Sequence, residues 1–289
     1  RDLHSFPTRR SSDLGNFKVG ITFFLNAYND LYVSYARATK EPNRSDYKSY
    51  YEALQDDPNA KKPIAEKLND IELGWRLTTP KVRLNLNGYY MGYEDQLVLS
   101  GKLNSTGYPI RENVGKSYRA GIEADAMVQL SERWLWSPNI AFSKNINRDY
   151  KSQDAEVATR TISWGDTRIS YAPDVVLGNT ITFMPIEGFQ IGLISKYVGT
   201  QYVDNTEREE AKLNAYFVNN LSLQYEWKPK NTFKSVLFSV MGNNIFNTKY
   251  TPTRRRATPP PRFRASSSPT TCMGPRLTRV LRRWRPLRS

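Results

Sequence analysis

Three tyrosines, Tyr47, Tyr50 and Tyr51, lie close together beside Arg44 and Lys48 in a polar stretch over 39–66. Aromatic rings stack on flat ligands and the two cations attract negative charge, so this group has the chemistry to hold an anionic aromatic chelate. Tyr108 and Arg111 repeat the combination in a second polar stretch, 100–117. The competing reading, which the residue types favour, is a pair of solvated loops whose tyrosines pack on one another. The run Glu207-Arg208-Glu209-Glu210 reads as a solvated charged face. Covalent chemistry has no residues to work with. The only histidine, His4, and the only cysteine, Cys272, both lie outside 15–252. Ser-His-Asp and Cys-His nucleophile systems, zinc sites and disulfides are thereby excluded from the body of the chain. Carboxylates alone could still hold a metal, but no spacing points to such a site, and no cofactor or catalytic residue is expected.

The net charge of +14 suggests a nucleic-acid partner until its distribution is considered. Eleven arginines and no acidic residue fall between Pro252 and Ser289. Over 15–252 there are 28 basic and 26 acidic residues, a net charge of only +2. The basic character belongs to the ends. Residues 1–14 show no hydrophobic period and no signal-peptide core, and they resemble the translated remnant of a sequencing adapter. Residues 253–289 form an aberrant basic tail, rich in proline, which reads as reading-frame slippage after Tyr250. A genuine basic arm that binds nucleic acid or anionic lipid is the alternative. The abrupt change of texture favours slippage, so no nucleic-acid partner is expected.

These candidate residues must be positioned by strands. No run of eighteen apolar residues exists that could make a transmembrane helix. Period-2 alternation recurs instead. Ile71, Leu73, Trp75 and Leu77 share one face, opposed by Asp70, Glu72, Gly74 and Arg76. Val82, Leu84, Leu86 and Tyr90 alternate with Lys81, Arg83, Asn85 and Asn87. Tyr118 through Leu130 alternate with Arg119, Gly121, Glu123, Asp125 and Gln129. Similar patterns at 17–25, 31–36, 135–143, 175–183, 189–198, 217–227 and 236–246 bring the expected strands to ten, with no segment of helical period long enough to compete.

Short links near 26–29, 78–81, 131–133, 185–188 and 228–232 alternate with long polar loops at 39–66, 100–117, 145–173 and 200–214. An antiparallel up-and-down meander with tight turns on one rim and long loops on the other is the pattern of a transmembrane β-barrel. A soluble sandwich would turn its apolar faces inward. Here the polar faces carry enough paired charge to line a wet lumen, and Trp75, Trp134, Trp136, Tyr225 and Trp227 cluster near the turns as an interfacial girdle would.

At this point the chain resembles a known family, the TonB-dependent outer-membrane receptors, in a siderophore-receptor-like form of the Bacteroidetes type. The resemblance is carried by Tyr32, Ser34, Tyr35, Ala36, Glu41, Pro42, Asn43 and Arg44 in NDLYVSYARATKEPNRSDY. It continues through Glu66, Leu68, Glu72, Leu73 and Gly74 in AEKLNDIELGWRL, through ENVGKSYRAGIEADA at 112–126 and through GNNIFNTKY at 242–250. It implies a barrel of twenty-two strands around an N-terminal plug. The ten strands over 15–252 would then be a C-terminal portion, with the plug and a recognisable last strand missing. The implied function is active import of a scarce ligand, in most cases an iron–siderophore complex, across the Gram-negative outer membrane. The implied partners are the TonB complex, reached through the missing N-terminal part, a ferric siderophore and outer-membrane lipid. Import of an oligosaccharide or cobalamin, or a passive porin, is the alternative. An outer-membrane protease or phospholipase is disfavoured because the body has no histidine.

Overall fold

The computed structural model describes residues 15–251 except 57, 59, 104–106, 108, 154–160 and 230–233. The adapter-like leader, 1–14, and the basic tail, 253–289, therefore lie outside the described residues. The strands are β1 (Phe17–Phe24), β2 (Asn29–Lys40), β3 (Glu66–Thr78), β4 (Val82–Leu103), β5 (Pro109–Gln129), β6 (Trp134–Gln153), β7 (Thr161–Arg168), β8 (Val175–Phe183), β9 (Phe189–Val198), β10 (Gln201–Tyr202), β11 (Lys212–Leu213), β12 (Tyr216–Trp227) and β13 (Val236–Gly242). One helix, α1 (Arg44–Asp56), separates β2 from β3.

Ten of these strands form one antiparallel meander in the order β1-β2-β3-β4-β5-β6-β8-β9-β12-β13. They coincide with the ten alternating segments of the sequence. β7 pairs with the outer part of β6, beyond the end of β8, and β10 and β11 make a separate two-stranded ribbon. Short polar turns close one rim. Asn26 Oδ1 accepts from the backbone N–H of Tyr28 and of Asn29, and Thr79 Oγ1 accepts from Val82 N–H, so each turn satisfies its own donors.

The sheet is apolar outside and polar inside. Leu73 is 62% exposed and Ile122 57% exposed, whereas Ser34, Asp70, Asn145 and Ser222 are buried on the opposite face. Hydrogen bonds across that inner face couple Ser34 to Glu72 (3.2 Å), Tyr32 to Asn87 (3.0 Å) and Asn85 to Asp125 (2.9 Å). The charges there are partly paired: Arg76 meets Asp30 at 2.6 Å and Lys18 meets Glu72 at 3.5 Å. A soluble sandwich would bury the apolar face, so this inversion is what a lipid-facing wall requires.

Two aromatic belts bound the apolar band. At the turn rim Trp134 stacks on Phe183 (4.4 Å) and Phe189 meets Tyr225 edge-on (6.3 Å). At the other end Tyr90 stacks on Tyr118 (6.0 Å) and Phe17 meets Tyr35 (5.7 Å). On β4 the band runs from Val82 to Tyr90, and on β5 from Val128 to Tyr118. That matches the roughly 9–11 tilted residues needed to cross a bilayer's hydrocarbon. The polar row Asn179, Ser195 and Asn219 on this face is satisfied, because Trp136 Nε1 donates to Asn179 Oδ1 at 2.7 Å and Ser195 Oγ donates to Asn219 Oδ1 at 2.6 Å.

Two glycines make room for lumen-facing tyrosines. Gly74 lies opposite Tyr32, and a Cβ there would sit 2.1 Å from the tyrosine ring. Gly121 lies opposite Tyr89 in the same relation, with the Phe142 carbonyl 2.5 Å from where a Cβ would stand. The Tyr32 ring cannot simply swing away, because its hydroxyl donates to Asn87 and the Arg76 guanidinium lies 5.0 Å above it. Gly74→Val should therefore cost about 1–3 kcal/mol of barrel stability. The urea midpoint of the reconstituted barrel measures this. A double variant that also carries Tyr32→Ala should recover most of the loss, and no recovery would show that the ring contact is not the cause.

Three sequence expectations need correction. The stretch 39–66 is not an irregular loop, for it contains α1. Asn43 caps that helix by accepting from Asp46 N–H (3.0 Å), and Asp46 returns the bond by accepting from Asn43 N–H (2.8 Å). The stretches 100–117 and 145–173 are also largely strand. β4 and β5 extend past the outer belt to Leu103 and back from Pro109, and β6 with β7 extends likewise. Left-handed residues, Asp95 (φ 53°) and Asp149 (φ 47°), interrupt the alternation there. Beyond them Val98, Val114, Tyr150, Ile169 and Ala172 pack into a small buried cluster. The extensions carry polar residues because both faces lie outside the apolar band.

Candidate functional site

At the outer end of the inner face the extended strands surround a cavity of about 510 Å3. Lys40 reaches it from the end of β2, Glu66 from the start of β3, Tyr93, Gln96 and Leu99 from β4, Arg111 and Arg119 from β5, and Ser170 from the β7–β8 connection. Glu66 is mostly buried and already engaged: Lys40 Nζ lies 3.1 Å from Oε1, and Leu97 N–H donates to Oε2 at 3.0 Å. Arg119 donates to Asn145 Oδ1 at 3.5 Å, a long contact to a neutral group. The lining thus holds three cations against one carboxylate. Its field favours an anion, and the low local dielectric of a half-enclosed site strengthens that preference.

The wall of the cavity is held from behind by buried amides. Asn205, fully buried, accepts from Ser170 N–H (2.8 Å) and from Asn147 Nδ2 (3.2 Å), and donates to the Leu99 carbonyl (2.9 Å). Ser170 Oγ donates to the same carbonyl at 3.1 Å. Beside them Tyr150 donates to Glu112 at 2.6 Å. Burial first, and then the negative charge of Glu112, push the Tyr150 hydroxyl well above its ordinary pKa, so it stays a neutral donor. The segment 203–208 is thereby locked onto β4 and β6. Among the described residues no group of three or more His, Cys, Asp or Glu side chains is placed to hold a metal.

Of the residues singled out from the sequence, Arg111 lines the cavity. Arg44, Tyr47, Tyr50 and Tyr51 sit on α1, away from the cavity lining, where the helix packs lightly on β5. Tyr50 and Tyr51 have ring centroids 5.3 Å apart, as in the self-packing alternative. Tyr108 lies outside the described residues. Sequence reasoning missed Lys40, Glu66, Tyr93 and Arg119 as partners of Arg111. Arg119 carried a signal, since the alternation already turns it to the inner face, but nothing in the sequence joined it to Lys40.

Comparison with known proteins agrees with this architecture. A family described as "TonB dependent receptor-like, beta-barrel" matches residues 2–245. The pesticin receptor of Yersinia enterocolitica is 24% identical over 195 residues, covering 66% of this chain and 26% of the receptor. The chain thus spans about a quarter of that relative's length. Among solved structures, the ferric yersiniabactin uptake receptor of Yersinia pestis superposes with a TM-score of 0.58 at 18% identity, covering 82% of this chain and 33% of that one. The copper transporter OprC superposes with a TM-score of 0.61 at 19% identity, covering 82% and 34%. At such identities the superpositions establish the fold and not the cargo. The family is one of transport receptors and not of enzymes. On the match across 2–245, the inverted sheet and the paired aromatic belts, this chain belongs to the TonB-dependent receptor β-barrel family.

Proposed function

We propose that this chain is a section of the wall and outer end of an outer-membrane receptor that binds a ferric siderophore and imports it with energy delivered through TonB. The cavity supports this reading most directly. Its cations, Lys40, Arg111 and Arg119, outnumber Glu66, which Lys40 already neutralises. A ferric ion wrapped by catecholate or phenolate oxygens carries net negative charge and presents flat rings, and both features suit cationic guanidinium groups beside Tyr93. A neutral oligosaccharide would gain no charge attraction from uncompensated cations, and a cobalamin importer or passive porin has no comparable observation in its favour. Arg44, Tyr47, Tyr50 and Tyr51 on α1 make a second, outer contact in this proposal, one that meets the ligand before the cavity does. No described residue is assigned to TonB contact.

The test uses a ferric tris-catecholate as probe on the full receptor that carries this chain. Arg111→Glu should weaken binding, read by tryptophan fluorescence quenching, on the order of tenfold or more, because a charge-assisted contact is replaced by a repulsive one. Tyr51→Ala on α1 should cost less, since its ring already packs on Tyr50. Unchanged binding by Arg111→Glu would remove the cavity as the ligand site.

A further inference from the structure

Two uncharged side chains in the cavity lining are each fixed from behind by a hydrogen bond. Gln96 is 6% exposed, and its Oε1 accepts from the buried hydroxyl of Ser117 at 2.9 Å. That bond decides which end of the carboxamide faces back into the protein. It leaves Nε2 with two N–H groups, and among the described residues neither meets an acceptor. Nε2 is not sealed inside the wall, so its donors open on the cavity that Gln96 lines. Ser170 has the opposite polarity. Its Oγ lies 3.1 Å from the Leu99 carbonyl, and a carbonyl oxygen can only accept, so the hydroxyl proton is committed there. What remains at Oγ is lone pairs. Asn205 keeps this arrangement in place, donating to the same carbonyl at 2.9 Å and accepting from Ser170 N–H at 2.8 Å.

The cavity therefore offers a neutral donor and a neutral acceptor beside its cations. The carboxylate in the lining cannot take the acceptor's part, because Glu66 already holds Lys40 and the Leu97 N–H. Donors left unmade on a buried amide are costly, so a ligand that meets them gains more than one that only neutralises charge. A secondary amide has the matching pair. Its carbonyl and N–H point in opposite directions across a planar unit, which suits partners arriving from β4 and from the β7–β8 connection. A hydroxyl would have to meet both partners through one atom. We propose that Gln96 and Ser170 set the specificity of the cavity by reading an amide of the ligand. Gln96 Nε2 donates to the amide carbonyl and Ser170 Oγ accepts from its N–H, while Arg111 and Arg119 hold the anionic chelate. This rests on the anion-binding reading of the cavity and adds the chemical class of the ligand's linker: the chelating arms are joined through amides.

The experiment titrates the full receptor that carries this chain with three ferric tris-catecholate probes of equal charge. Their catechol arms are tethered through secondary amides, through esters or through benzyl ethers. The amide offers both a carbonyl and an N–H, the ester a carbonyl alone, and the ether neither. In the amide probe the arms are 3,4-dihydroxybenzoyl groups, so no ortho oxygen captures the N–H. Fluorescence quenching should rank the wild type's affinities amide, ester, ether, with the amide about tenfold tighter than the ester, as one well-placed hydrogen bond in a half-enclosed site gives. Ser170→Ala should bring the amide probe down to the ester and leave the ester unchanged. Gln96→Met, similar in length, should bring the ester down to the ether and leave the ether unchanged. A merely structural role for either residue would weaken all three probes alike, and that result would overturn the proposal. So would equal affinity of the wild type for amide and ester, a comparison that needs no variant. Failure of the wild type to bind any of the three would instead remove the anion-binding reading of the cavity, so the two failures are distinguishable.

Discussion

Leu73→Arg should destabilise the barrel by about 2–4 kcal/mol, the cost of placing an arginine against lipid near mid-membrane. Leu73 sits in the middle of β3, between Val33 of β2 and Gly88 of β4, and is 62% exposed on the outward face. In water such a leucine would be a liability; in lipid it is at home, and a guanidinium in its place has neither solvent nor a partner within reach. The inner face makes the opposite demand. Asn85 donates to Asp125 at 2.9 Å in a polar, wet environment, so Asn85→Ser removes one exchangeable hydrogen bond and should cost well under about 1 kcal/mol. Unfolding the two variants from lipid vesicles in urea measures the difference. Equal effects would mean that the assignment of faces is wrong, and with it the orientation of every strand in the meander.

The same alternation explains what the sequence reveals and what it hides. Wherever one face meets lipid and the other a wet interior, the side chains must switch character at every residue, and the ten paired strands were legible for that reason. Above the outer belt that constraint lapses. Residues 91–103 of β4 and 144–153 of β6 continue as strands in a polar setting, and the φ reversals at Asp95 and Asp149 break the period that would have revealed them. The helix α1 was legible in principle: Asn43 and Asp46 form a reciprocal cap, and Tyr47, Tyr50, Tyr51 and Leu54 recur at helical spacing. In the sequence the surrounding polarity outweighs that spacing and gives its tyrosines the look of a loop cluster. The cavity was half legible. Arg111 was identified, but its companions come from three strands, and only the register of β2 through β5 brings Lys40, Glu66 and Arg119 beside it. Asn205 was invisible, because a buried amide held by Leu99, Asn147 and Ser170 leaves no local pattern.

The 289-residue chain refolded alone in detergent or lipid should aggregate and should give neither a heat-modifiable monomer nor stable conductance. The meander has two ends: among the described residues β1 pairs only with β2 and β13 only with β12. All eight residues of β1 are exposed, and so are six of the seven in β13. An edge strand directs about half of its N–H and C=O groups away from its only neighbour, so two such edges strand on the order of a dozen polar groups. Each costs several kcal/mol in hydrocarbon, which places the sum in the tens of kcal/mol. A folded domain's whole margin is about 5–15 kcal/mol, so no packing within the sheet offsets that loss. Covering the edges removes it. Co-refolding with a polypeptide that supplies alternating lipid-facing strands to β1 and β13 should therefore yield a monomeric, heat-modifiable species. A mixture that still aggregates would point to a fault within the sheet itself, and a stable, conducting monomer from the chain alone would show that its edges find partners the present topology does not contain.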